Sequence, residues 1–285
     1  IMDNLLKGCI YLEELSYLYH YTSIETLALI LSNRTIRFSS LSRVDDIEEE
    51  GTADFGNLGR FCFVSCWTND SEESIPLWNM YTPNMTGVRI KLPIDLFKKT
   101  TMEPDGKYVK EGFLIHPALN NEKLSIHGCS VNPPYTATLS KVQYTDEPEK
   151  INQNVYTEKI IEPNASNGFQ TSIERSVRLQ DIGIYKDKKW MFQNEYRYKF
   201  IIVPWSLNEL SSVRSTEEHQ HIFDRLKTQN LPIDFLDLEI DEIKMRDMEI
   251  LIGPRTNQAQ RQIICSLVAD LNPQAVIKES QLKIR

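Results

Sequence analysis

Glu195 leads the run Gln193-Asn194-Glu195-Tyr196-Arg197-Tyr198-Lys199-Phe200-Ile201-Ile202. Read as a strand, its period of two puts Tyr196, Tyr198, Phe200 and Ile202 on one face and Glu195, Arg197 and Lys199 on the other. A carboxylate at the head of such a strand, backed by aromatic and aliphatic side chains, is suited to stabilise a cation. On the strand pattern alone, the plainer reading is an edge strand with a solvated charged face. A second candidate is His20 in Leu18-Tyr19-His20-Tyr21-Thr22-Ser23. A lone histidine is more often a half-buried structural group than a reacting one. A third is Tyr81, at the end of Ser74-Ile75-Pro76-Leu77-Trp78-Asn79-Met80-Tyr81. Trp78 is one turn from it on a helix and shares its face.

These residues need elements to hold them. Leu18 to Tyr21 reads as a strand. Thr22 then serves as N-cap with Glu25 three residues on, a capping box. Ile24, Leu27, Ala28 and Leu31 follow at helical spacing, so the helix has one apolar face, and Asn33 ends it. Thr35 to Ser39 is the next strand, which puts His20 at the mouth of a strand–helix turn. Phe61 to Trp67 reads as a strand, Ser74 to Tyr81 as a short helix with Pro76 in its first turn, and Gly87 to Leu92 as a strand.

In this order the segments resemble the ADP-ribosyltransferase superfamily, in the branch marked by a His–Tyr–Glu triad. In poly(ADP-ribose) polymerases and diphtheria-type toxins, a strand carries His, a small residue, then Ser or Thr. The matching stretch here is His20-Tyr21-Thr22-Ser23. The polymerases end their triad on Asn-Glu-Tyr followed by apolar residues, and Asn194-Glu195-Tyr196 matches it. Tyr81 takes the middle position. Over most of its length the chain is also similar to an uncharacterised bacterial domain family with a Tyr-His-Tyr-Thr-Ser start, an acidic loop, a Trp-x-x-Tyr helix and a Glu-Tyr-Arg strand. Asp45-Asp46-Ile47-Glu48 is the loop here. Two departures are evident. Tyr21 stands where the characterised enzymes mostly have Gly, and both gaps between triad positions need insertions.

The resemblance implies an α+β fold whose split antiparallel and mixed sheets flank an NAD cleft, with helical insertions. It implies one domain over 1–285, with core blocks 18–96 and 185–205, an insertion over about 100–180 and a C-terminal α/β extension over 206–285. His20 would bond the adenosine ribose, Tyr81 would stack on nicotinamide with help from Trp78, and Glu195 would stabilise the oxocarbenium-like ribose. Thr22, Ser23 and Ser39 would join His20 in binding NAD. NAD is an anion, so Arg37, Arg43 and Arg197 would supply positive charge to the cleft. The activity implied is mono-ADP-ribosyl transfer from NAD to a macromolecular acceptor, protein or nucleic acid, without a metal, in a toxin or phage-defence role. Two alternatives use the same residues: an NAD glycohydrolase, and a module that binds NAD or ADP-ribose without chemistry. RNA 2′-phosphate transfer would want several cleft arginines and a more basic surface.

Composition narrows the field. A chain of 285 residues with 41% hydrophobic residues has material for a large core. A net charge of −8 argues against broad, sequence-independent nucleic-acid binding. No apolar run of about 18 residues is present, so no membrane span is expected. Nor is a secretory leader, since no basic start runs into an apolar core. The five cysteines, Cys9, Cys62, Cys66, Cys129 and Cys265, are scattered. Cys62 and Cys66 share a strand face but lie about 13 Å apart at strand rise, too far for a disulfide. Free thiols and a cytoplasmic location are expected, and no zinc pattern surrounds His219 and His221.

Elsewhere, 3–15 reads as a short helix, 100–165 as irregular with one hairpin, and Ser172 to Leu179 as helical. Residues 206–230 read as partly helical. Glu249 to Ile252 reads as a strand, Asn257 to Leu271 as an amphipathic helix with Ile263, Ile264, Leu267 and Val268 inward, and Ala275 to Lys278 as a last strand. The acidic stretch Asp45 to Glu50 reads as a solvated loop, with a lid or substrate loop as the alternative.

Overall fold

A computed structural model describes residues 15–103, 111–162 and 172–284. Cys9 and nearly all of the helix expected over 3–15 lie outside them. The fold is α+β, built on one ten-stranded sheet. In chain order its strands are β1 (Tyr17–Thr22), β2 (Thr35–Ser40), β3 (Cys62–Thr68), β4 (Val88–Pro93), β5 (Ser130–Asn132), β6 (Thr138–Lys141), β7 (Glu195–Val203), β8 (Phe235–Glu239), β9 (Glu249–Ile252) and β10 (Val276–Glu279). The longer helices are α1 (Ile24–Asn33), α2 (Ile75–Tyr81), α3 (Thr216–Thr228) and α4 (Gln258–Leu271).

The spatial order is β6–β7–β3–β1–β4–β9–β10, with β5 also on β7, and β2 bridging β3 and β8. Neighbours are antiparallel except the parallel pair β9–β10. The sheet forks at β3. Its start pairs with β2 at Ser39–Val64 and Ser40–Phe63. Its end meets β1 at one position, Tyr19–Thr68. By contrast β1 pairs with β4 along its whole length, from Tyr17–Pro93 to Thr22–Val88. The β1–β3 seam is therefore where the sheet splits.

Local chemistry explains the elements beside the fork. In α1 the cap is Ser23, whose hydroxyl accepts from the Thr26 amide at 3.1 Å. The expected cap at Thr22 is thus one residue early, because Thr22 still pairs in β1. Leu27, Ile30 and Leu31 are buried at helical spacing, and Arg34 ends the helix in the left-handed region at φ 54°. Burying such side chains stabilises by roughly 1.5–3 kcal/mol each. They pack with Ile264 and Val268 of α4 over Val88, Ile90 and Ile250. Gly87, which enters β4, admits no side chain: a Cβ there would meet the Thr22 carbonyl oxygen at 2.2 Å.

Three expectations change. Ser172–Val177 is a strand, paired antiparallel with Tyr156–Ile161, rather than a helix. Its apolar Ile173 and Val177, four apart, fit a strand or a helix face about equally, and pairing with Tyr156–Ile161 decides for the strand. The region over 100–165 is more than an irregular insertion, since β5 and β6 complete one edge of β7. Finally, β7 is no edge strand. It runs between β3 and β6 and is buried at all nine positions.

Candidate active site

The site grows from the fork. His20 on β1 lies where the ladder to β3 ends, and its Nδ1 meets the Cys66 carbonyl at 2.8 Å. The ring bridges the gap that the missing backbone bonds leave. It also packs on Trp67, with ring centroids 5.0 Å apart. Burial, partly opposed by that hydrogen bond, holds the imidazole below its usual pKa. His20 is then neutral at pH 7. A carbonyl only accepts, so Nδ1 carries the proton and Nε2 is left as an acceptor.

Tyr81 arrives on α2. Ser74 caps this helix, Pro76 occupies its first turn, and Leu77 and Trp78 are buried. Tyr21 fixes where α2 starts. Its hydroxyl accepts from the Ser74 amide at 3.0 Å, and its ring meets Trp78 edge-on at 4.8 Å. Arg89 reinforces the same corner by donating to the Ser71 and Glu72 carbonyls at 2.9 and 3.0 Å. The Tyr81 hydroxyl accepts from Gln193 Nε2 at 2.7 Å. Burial and then the Asp45 carboxylate raise its pKa above the usual tyrosine value.

Glu195 opens β7, two strand spacings from β1 across β3, or about 10 Å at Cα. Its amide donates to the Tyr144 hydroxyl at 2.8 Å. Both carboxylate oxygens are engaged. Oε1 accepts from Arg197 Nε at 2.5 Å, while Oε2 accepts from Arg197 Nη2 at 3.1 Å and Lys186 Nζ at 3.2 Å. Glu49 completes the group. It takes Arg197 Nη2 at 3.0 Å and Lys186 Nζ at 3.0 Å on Oε1, and Arg197 Nη1 on Oε2. Two acids and two bases thus form one buried cluster. Burial would raise the Glu195 carboxyl, but Arg197 and Lys186 outweigh it and hold the pKa at about 2. The carboxylate is fixed as an anion. Burial and the Glu195 charge push the Cys66 thiol well up, which leaves it a poor nucleophile.

Tyr19, His20, Tyr21, Cys66, Trp67 and Thr68 line a half-open cavity of about 80 Å³ with Leu77, Tyr81, Gln193 and Glu195. His20, Tyr81 and Glu195, far apart in sequence, therefore meet at one place. The other expected residues divide. Trp78 is fully buried against Tyr21, Met85 and Leu251, and its indole donates to Glu73 at 3.1 Å. The face of α2 that meets the cavity carries Leu77 and Tyr81 instead. Ser23 is occupied as the cap of α1. Thr22 is buried at the end of β1, and Ser39 lies on β2 beyond the fork. Arg37 pairs with Asp237 at 2.9 Å and Arg43 with Asp234 at 2.8 Å, both on the surface. Arg197 is next to the site, but its charge is taken up by the two glutamates. No Lys or Arg lines the cavity among the described residues.

Gln193, Glu49 and Tyr144 were not singled out from sequence for roles at this site. Gln193 carried one usable sign, a polar residue between the apolar run Trp190-Met191-Phe192 and the strand. Glu49 had none. It sits in Glu48-Glu49-Glu50, where a solvated loop is the natural reading, yet its side chain is fully buried.

Residues 77–198 match a protein family described as "Protein of unknown function (DUF2971)". The match begins in α2 and ends in β7, so it takes in Tyr81 and Glu195 and leaves His20 outside. No curated protein and no solved structure matches the chain. Among the described residues no helix is long and apolar enough to cross a membrane, and no cluster of His, Cys, Asp and Glu could hold a metal ion.

Proposed function

We propose that the chain is an NAD-dependent mono-ADP-ribosyltransferase acting on a macromolecular acceptor. One observation carries this reading: His20, Tyr81 and Glu195 line the same cavity at the split of the sheet. In it, the nicotinamide–ribose bond breaks with the electron pair leaving on nicotinamide. The acceptor's nucleophile then bonds the same ribosyl carbon and gives up its proton to solvent. Glu195, held ionised, stabilises the cationic ribose, and a fixed anion is most effective where water is excluded. Neutral His20 offers an acceptor to a hydroxyl, and Tyr81 offers a ring face at the rim. The cavity is well short of the roughly 300–1,000 Å³ that larger ligands fill. In this reading the edge of the nicotinamide ring enters it, the ribose stands at its rim, and the phosphates stay outside.

A second reading, binding of NAD or ADP-ribose without chemistry, is favoured by a different observation. Both oxygens of Glu195 already serve Arg197 and Lys186, which offsets the field a cation would feel. The test is incubation with labelled NAD and cell lysate, wild type against Glu195→Gln. Label in macromolecules that is lost in the variant supports transfer. Free ADP-ribose alone indicates hydrolysis. Binding with no turnover in either protein supports the second reading, and no interaction with NAD rejects both.

A further inference from the structure

Gln193 ends the 3-10 turn Lys188–Gln193 and lines the cavity, with 3% of its surface exposed. Its Nε2 donates to the Tyr81 hydroxyl, but its Oε1 is buried with no hydrogen-bond partner. Buried side-chain polar atoms nearly always have partners, so a lone one needs a reason. The amide stands with its Nε2 toward the Tyr81 hydroxyl, which accepts from it, and the oxygen of Gln193 is left over.

Most of the lining is apolar, from Tyr19, Tyr21, Trp67 and Leu77 among others, and it carries few polar groups. Neutral His20 presents Nε2 as an acceptor, and Glu195 is a carboxylate whose oxygens are held by Arg197 and Lys186. Thr68 spends its hydroxyl proton on the Asn194 carbonyl at 3.2 Å. The cavity therefore presents acceptors on a largely apolar wall, and it suits a flat ligand that brings an N–H donor and no negative charge. Resting on the reading above, we infer that Gln193 is a specificity-determining residue. Its Oε1 accepts an N–H from an uncharged carboxamide on an aromatic ring and discriminates against the matching carboxylate, which has no donor and would face Glu195.

The test uses nicotinamide and nicotinate, which share a ring and differ in this group. Ligand-observed NMR titrations give affinities for the wild type, Gln193→Met and Gln193→Glu, alongside ligand-free melting and labelled-NAD turnover. The wild type is expected to prefer nicotinamide by at least about tenfold, the scale of one lost hydrogen bond plus repulsion. Gln193→Met brings the ratio to within about twofold; it removes the Nε2 bond to the Tyr81 hydroxyl along with the unbonded oxygen, and the ligand-free melt separates any cost to the fold from the change in ratio. Gln193→Glu keeps an acceptor and keeps the preference. An unchanged ratio in Gln193→Met overturns the inference and leaves NAD chemistry standing. Loss of the preference in Gln193→Glu overturns it too. If the wild type shows no nicotinamide binding but turns NAD over, the inference alone fails. If it shows neither, both fail.

Discussion

Arg37 and Arg197 are each the third residue of a strand, and the difference between their surroundings is the main physical lesson of this molecule. Arg37 on β2 lies over the Phe235 ring at 3.6 Å and forks onto Asp237 at 2.9 and 3.0 Å, with half its side chain in water. Arg197 on β7 has no exposed side chain and holds two carboxylates. Facing solvent, an ion pair is screened and worth little. In the interior, each charge depends on its partners for the solvation it has lost. Arg43, paired with Asp234, belongs with Arg37.

The largest effect expected from this contrast is on stability. Arg197→Met leaves two buried glutamates facing only Lys186. It should cost about 3–5 kcal/mol, the range for breaking a buried pair. Urea unfolding monitored by fluorescence measures it. A loss as small as that of Arg37→Met would erase the distinction between the two sites.

Next comes the rate. If Glu195 stabilises a cationic ribose, Glu195→Gln should lower NAD turnover on the order of 100- to 1000-fold, about 3–4 kcal/mol. Glu49→Gln leaves one fewer acid in the same cluster but keeps Glu195. Both variants should melt lower, since each leaves an excess buried positive charge. Only Glu195→Gln should show the full loss of turnover per folded molecule. Equal losses would make the cluster purely structural.

Acid should separate the two regions further. The Glu195 pKa is depressed in the fold, so its contribution is complete above the unfolded value near 4.5 and fades as pH falls toward about 2. The span corresponds to roughly 3 kcal/mol. The lowered pKa of His20 acts in the same sense, with stability lost as pH drops below 6.5. Stability measured from pH 7 to 2 should fall in these two windows. In Glu195→Gln the lower window should flatten, and an unchanged profile would remove the cluster as its source.

The smallest effects belong to the surface pairs. Arg37→Met and Arg43→Met should each cost less than about 1 kcal/mol and leave NAD or nicotinamide binding unchanged. A binding loss in either, read by titration, would mean that the surface arginines reach the ligand after all.

Periodicity carried a large part of the fold. The apolar spacing of Leu27 and Leu31, the Ser74–Pro76 helix start and the alternation of Tyr196, Tyr198, Phe200 and Ile202 are local properties, and the structure keeps them. The α4 helix and its flanking strands were readable for the same reason, with Asn257 and Gln260 capping α4 reciprocally, but Ile263, expected inward, is half exposed while Ile264 and Val268 are buried. Ser172 to Val177 misled because six residues of mixed character satisfy two periods about equally well. The α2 face misled because Trp78 and Tyr81 are neighbours on a helix, yet Tyr21 and Met85 claim the indole for the core.

What the sequence determined alone is the type of the strongly periodic segments and the two faces of β7, since both follow from side-chain order along one strand or helix. Tertiary structure decided which face meets water. Nothing in Glu195-Tyr196-Arg197 says that a ribbon bearing Lys186 and a loop bearing Glu49 will cover its charged side. It also decided that β1 parts from β3 after one paired position, and so that His20, Tyr81, Gln193 and Glu195 share a cavity. Desolvation and charge pairing depend on partners distant in the chain, and local order does not carry that information.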